Sequence, residues 1–267
     1  DARGDVGGTL QGLYRALARD PAHGPSRAIL ARLELEAGLS AEENLAVLED
    51  IGSIPPWLTM LQLRAHLFAG RYDDLTAGYA RLEQGSALGI TKALLEARRS
   101  LYLRASTDAV ALLPALGELA RTNPFAEVLV HIVERVAGRS DQQKSDDLLR
   151  RLLERKTSPK RHCFFLQIFC ELAAMEAPET ALALLWRAAH FPLTDLQWLD
   201  ACPALAPLRH KPAFHQCRET VVTRLRPLLV GDDPQNAAPR VDVDEDATLP
   251  LAAASDPTVG RGPRRVT

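Results

Sequence analysis

The 267-residue sequence predicts an all-α protein, a right-handed α-solenoid of antiparallel helical hairpins. Three observations lead there. Apolar residues recur three and four apart along nearly every periodic segment, and strand-like alternation is almost absent. Leucine and alanine far outnumber valine and isoleucine, a bias that suits helices. The helical segments are short and their connections shorter, so successive helices must run antiparallel, and stacking buries them better than one closed core would.

The opening GDVGGTLQG (4–12) has glycines but neither a preceding strand nor a lysine, so it is no phosphate cradle. Residues 1–8 are expected to be a flexible N-terminus, and a first residue Asp1 rather than Met suggests a piece of something longer. Helices are predicted at 9–19, 25–37 and 40–50. Gly38 supplies a left-handed C-cap, and Ser40 an N-cap ahead of acids in the first turn. Pro55-Pro56 ends one helix and opens the next, 56–69, which Gly70 terminates before 72–84. Further helices follow at 88–104, 107–121, 124–138, 141–155, 159–174 and 177–190, with Asn123-Pro124 and Ser158-Pro159 as start signals and Gly138 as a stop. A short helix at 194–201 and a last one at 212–229 complete the predicted domain, 9–230. Residues 231–267, rich in Pro, Ala, Gly and Asp, cannot bury enough apolar surface to offset ordering entropy and are expected to be a disordered tail.

The segment LTMLQLRAHLFAGRYDDLTAGYARLEQG (58–85) resembles a tetratricopeptide repeat: Gly70, Tyr72, Leu75, Tyr79 and Leu82 stand at the matching spacings. Gly70 reverses the chain, Tyr72 plugs the space between two helices, and Leu75, Tyr79 and Leu82 share one face. Weaker echoes lie at 171–189, through Ala181, Leu185 and Ala188, and at 31–51. Leu75 replaces the usual small residue, and the first helix lacks the expected Trp and Gly. A second resemblance covers DLQWLDACPALAPLRHKPAFHQCRETVVTRL (195–225), similar to the closing segment of helical-repeat regions in bacterial serine/threonine protein kinases. Its Trp198-Leu199 pair, the turn through Pro203, Leu205, Pro207, Leu208 and Arg209, and Pro212 with Phe214 carry the likeness. It implies that 194–229 caps the end of the stack.

A formal net charge of −2 argues against a broad nucleic-acid-binding surface, and no apolar run approaches the roughly 18–20 residues that span a bilayer. The expected setting is cytoplasmic. No V-A-I-K, H-R-D, D-F-G, G-x-S-x-G or H-E-x-x-H motif is present, so no catalytic site is expected in this chain, and no cofactor. Cys202, His210, His215 and Cys217 are legal zinc ligands at a spacing that matches no known site, and no metal is expected. Cys163 and Cys170 read as small buried hydrophobes; His162 beside Cys163 points about 100° away and cannot readily share its proton. The run LLRRLLERK (148–156) reads as a solvated helix face.

A stack of hairpins offers an extended surface for a protein or peptide, and the polar residues expected on it are Gln62, Arg64, His66, Lys92, Glu96 and Arg99. One subclass of such repeats grips a C-terminal carboxylate from the first helix of each repeat. Here those positions hold Trp57, Met60, Leu61 and Arg64, of which only Arg64 suits, so that mode is not expected. Thr248 and Thr258 follow acidic residues in the tail and are phosphorylation candidates. Two functions follow: a non-catalytic interaction scaffold, the repeat region of a bacterial signalling kinase, or an effector-sensing helical domain such as transcription activators carry.

Overall fold

Prolines and small polar residues at the turns divide the chain into helices. The computed structural model describes residues 5–82, 88–105, 110–111 and 113–230, and among them every regular element is helical. In order these are α1 (Val6–Arg19), α2 (Gly24–Ala37), α3 (Glu42–Asp50), α4 (Pro56–Phe68), α5 (Tyr72–Leu82), α6 (Leu88–Leu103) and α7 (Leu113–Ala120). Then come α8 (Pro124–Val136), α9 (Gln142–Glu154), α10 (Pro159–Ala174), α11 (Pro178–His190), α12 (Leu196–Ala201), a 3-10 helix (Pro203–Leu208) and α13 (Pro212–Leu229). No described helix is long and apolar enough to cross a membrane. The tail, with Thr248 and Thr258, lies outside the described residues.

Local chemistry sets most boundaries. Gly38, Gly70 and Gly138 all take positive φ (77°, 68° and 70°) after a helix, the left-handed geometry expected of them. Asn123 and Ser158 cap α8 and α10 by accepting from the backbone N–H groups of Phe125 and Arg161. Two expectations need correction. Ser40 is not the N-cap of α3; Ala41 is, and the Ser40 hydroxyl accepts only a long 3.4 Å bond from Glu42 N–H. The opening is helical from Val6, because Asp5 caps α1 through Gly8 N–H at 2.9 Å and Val6 is buried in the core.

The hairpin that resembles a repeat has its own small core of Leu63, Leu67, Leu75, Tyr79 and Leu95, each leucine contributing about 2 kcal/mol of apolar burial. Gly78 lets α5 press onto α4: a Cβ there would lie 2.0 Å from Leu63 Cδ2. Elsewhere the packing departs from a simple row. Phe165 through Ala174 are buried without a break, so the C-terminal part of α10 is enclosed on all sides rather than showing one face to solvent.

The segment 194–229 does not simply cap one end. α12 packs against α2, the 3-10 helix against α6, α10 and α11, and α13 against α11, α2 and α1. The first and last described helices therefore touch, with Gly7 beside the ring of Pro227. Three buried contacts tie the segment inward: the Thr194 hydroxyl donates to Glu36 of α2, Asp195 pairs with Arg64 of α4, and Trp198 Nε1 donates to Glu171 of α10.

Candidate functional site

Between α2, α4, α6 and the N-terminal half of α10 lies a cleft of about 530 Å³. Helical periodicity aims its walls. From α4 come Trp57, Met60, Leu61 and Arg64, spaced i, i+3, i+4, i+7 on one face. α6 adds Ile90, Leu94 and Arg98 at intervals of four, with Thr91 beside them. α10 adds Lys160, Arg161, Phe164 and Gln167, while Phe125 closes one side against Phe164, ring centroids 5.5 Å apart. Arg32 and Glu36 enter from α2, and Leu193 and Asp195 from the loop after α11.

Three polar clusters organise these walls. Arg64 and Asp195, each 5 % exposed, form a two-pronged pair at 2.5 and 2.8 Å. Gln167 and the Trp198 N–H also donate to Asp195, at 3.0 and 3.1 Å. Glu36 is held by Lys160 at 2.8 Å and by the Thr194 hydroxyl, with Arg32 Nε 3.9 Å away. Burial opposes its charge, but Lys160 and Arg32 outweigh that and hold its carboxyl below the usual range. Behind the wall, fully buried Glu171 accepts from Arg98 Nε (3.0 Å) and Nη2, Tyr102 Oη (2.9 Å) and Trp198 Nε1 (2.7 Å). Burial would lower the Arg98 pKa, yet the facing Glu171 carboxylate raises it, so the guanidinium stays charged.

The six residues predicted for one partner surface divide three ways. Arg64 lies in the cleft, buried and paired, and is not a free surface cation. Gln62 and His66 turn towards α5 and line a separate groove with Thr59 and Asp74. Lys92, Glu96 and Arg99 pack on α5: Lys92 sits over the Tyr79 ring, Tyr79 Oη donates to Glu96 at 2.6 Å, and Arg99 lies over Tyr72. The structure thus does not assemble the predicted surface. It does place Trp57, Met60, Leu61 and Arg64 on one cleft wall. Sequence reasoning missed Arg32, Glu36, Arg98, Lys160, Arg161 and Asp195. The lone charge Glu171 inside the apolar run FFLQIFCELAA was the available signal.

All four cysteines are buried. Burial pushes the Cys163 and Cys202 thiols up to about 12 and Cys217 to about 11. His162 bonds the Arg155 carbonyl (3.1 Å) rather than Cys163. Around the last helices Cys202 and Cys217 are buried while His210 and His215 are exposed, and among the described residues no three His, Cys, Asp or Glu groups converge on a metal position. No family model, no curated protein and no solved structure matches this chain.

Proposed function

We propose that residues 5–230 form a non-catalytic, effector-sensing helical domain that takes a small molecule into the cleft. The observation that carries this reading is the cleft itself: about 530 Å³, with a largely apolar surface on which seven charged side chains converge. Small-molecule sites have that size and character. Its potential nucleophiles support a binding rather than a catalytic role. Cys163 is buried with a raised pKa, Ser158 is engaged as a helix cap, and both wall carboxylates are tied in ion pairs. The parent we propose is a cytoplasmic signalling protein, a bacterial serine/threonine kinase or a transcription activator. The likeness of 58–85 to tetratricopeptide repeats and of 195–225 to kinase repeat regions supports it.

One observation favours the protein-scaffold alternative: Trp57 is 40 % exposed at the cleft, an aromatic anchor of the kind that interfaces use. Filling the cleft separates the two. Thr91→Trp should keep the helical circular dichroism while abolishing stabilisation by small molecules, which at a hundred times Kd should raise the wild-type Tm by about 5–10 °C. Compounds that stabilise both proteins equally would remove the cleft from consideration. A protein partner lost with Trp57→Ala but kept with Thr91→Trp would favour the scaffold.

A further inference from the structure

Five basic side chains line the cleft against two carboxylates, Glu36 and Asp195. Three acids each take one cation at close range: Arg64 takes Asp195, Lys160 takes Glu36, and Arg98 takes Glu171 behind the wall. Five cations against three acids leave positive charge over, at Arg32, which shares Glu36 with Lys160, and at Arg161. Arg32 comes no closer than 3.9 Å to Glu36, and its Nε is buried without an acceptor among the described residues. Arg161 is exposed, its guanidinium lying 5.3 Å from the Phe125 ring centroid, and among the described residues it forms no ion pair. Arg64 Nε, on α4, is a second buried donor without an acceptor among the described residues.

We infer that the cleft binds an organic carboxylic acid with an apolar body, its carboxylate received by Arg161 and Arg32 and its body laid along Met60, Leu94, Phe125 and Phe164. The chemistry follows from what the walls lack. A carboxylate offers planar acceptors that match guanidinium forks, and it offsets the positive charge that the three acids leave over. The apolar residues beside those cations give no polar partner to the rest of the molecule, which selects a hydrocarbon chain or ring over a sugar or nucleotide. Arg161 is poised to act first: exposed, it meets the anion without prior desolvation, and its stacking on Phe125 holds the guanidinium against an apolar wall. The inference rests on the cleft being a small-molecule site, as proposed above.

Isothermal titration of the full chain with octanoate and with 4-phenylbutyrate, each beside its neutral amide, tests it. The acids should bind and the amides should bind at least about tenfold more weakly, the ratio that loss of one charge-assisted hydrogen bond produces. Arg161→Met should weaken the acids about tenfold or more without changing the amides. Because Arg161 is exposed this variant should fold normally, and Arg32→Met provides a second arm. Amides that bind as tightly as acids, with both lost in Thr91→Trp, would overturn the anion inference while leaving the cleft as a binding site. Failure of every probe, acid and amide alike, would overturn the inference and weigh against the cleft reading too. Octyl phosphate binding with octanoate inert would also overturn it, in favour of a phosphate ligand.

Discussion

Replacing Glu171 by glutamine should cost this domain about 3–5 kcal/mol, a large part of a typical total stability. The reasoning starts from the four donors that converge on the carboxylate. Oε1 accepts from Trp198 Nε1 and Arg98 Nη2, and Oε2 from Tyr102 Oη and Arg98 Nε. A carboxamide of the same shape has one oxygen. In either orientation its NH₂ faces at least one obligate donor, an Arg98 N–H, and the buried Arg98 charge loses its counterion. The consequence is read from urea unfolding followed by tryptophan fluorescence. With an m-value of about 2–3 kcal/mol/M, the midpoint should fall by roughly 1–2 M. The double variant Arg98→Met/Glu171→Met should recover most of that loss, because removing both charges also removes the desolvation cost. If Glu171→Gln unfolds within about 0.3 M of wild type, or the double variant is weaker than the single one, the buried pair is not what ties α6, α10 and α12 together.

Acid should destabilise the domain in two stages. His131 is held neutral by burial, with the Arg135 charge adding to the effect, its pKa pushed down from 6.5 to about 4. The unfolded chain binds that proton first, so about 2 kcal/mol, allowing for residual solvent screening, should be present above pH 6.5 and lost on the way to about 4. Glu36, with its pKa held low, adds a second loss below the ordinary glutamate range. Urea midpoints at pH 7.5, 5.5 and 4 check both, and a flat profile from 7.5 to 5.5 counts against the histidine assignment. Removing the α1 cap with Asp5→Ala should cost about 1 kcal/mol in the same assay, and no change would mean that α1 is held by packing alone. A thiol reagent at pH 8 should label none of the four cysteines in the folded protein and all of them in urea; rapid labelling of any one in the native state contradicts its burial.

The helices were legible because their signals are local. Glycine at 38, 70 and 138, proline after Asn123 and Ser158, and i, i+3, i+4 apolar spacing act within a few residues. The closing contacts were not legible, because the groups that make them stand far apart: Thr194 meets Glu36 at a separation of 158 residues, and Asp195 meets Arg64 at 131. No periodic pattern encodes such a pairing. The site failed for a geometric reason. Neighbours on a helix diverge by about 100°, so selecting Arg99 over Arg98 chose the side that packs on Tyr72 and left the cleft unseen. Arg64 was selected for its helical face, but a buried carboxylate already occupies it.

Where Gly7 meets Pro227, the backbone enters and leaves the domain within touching distance. The start of α1 thus lies beside the end of α13, so a force pulling Asp5 and Val230 apart would peel one helix from the other turn by turn instead of shearing the whole interface at once. Mechanical weakness is concentrated at that seam. A linker joining the two ends could seal it, and new termini could then be opened in a surface loop without crossing the core.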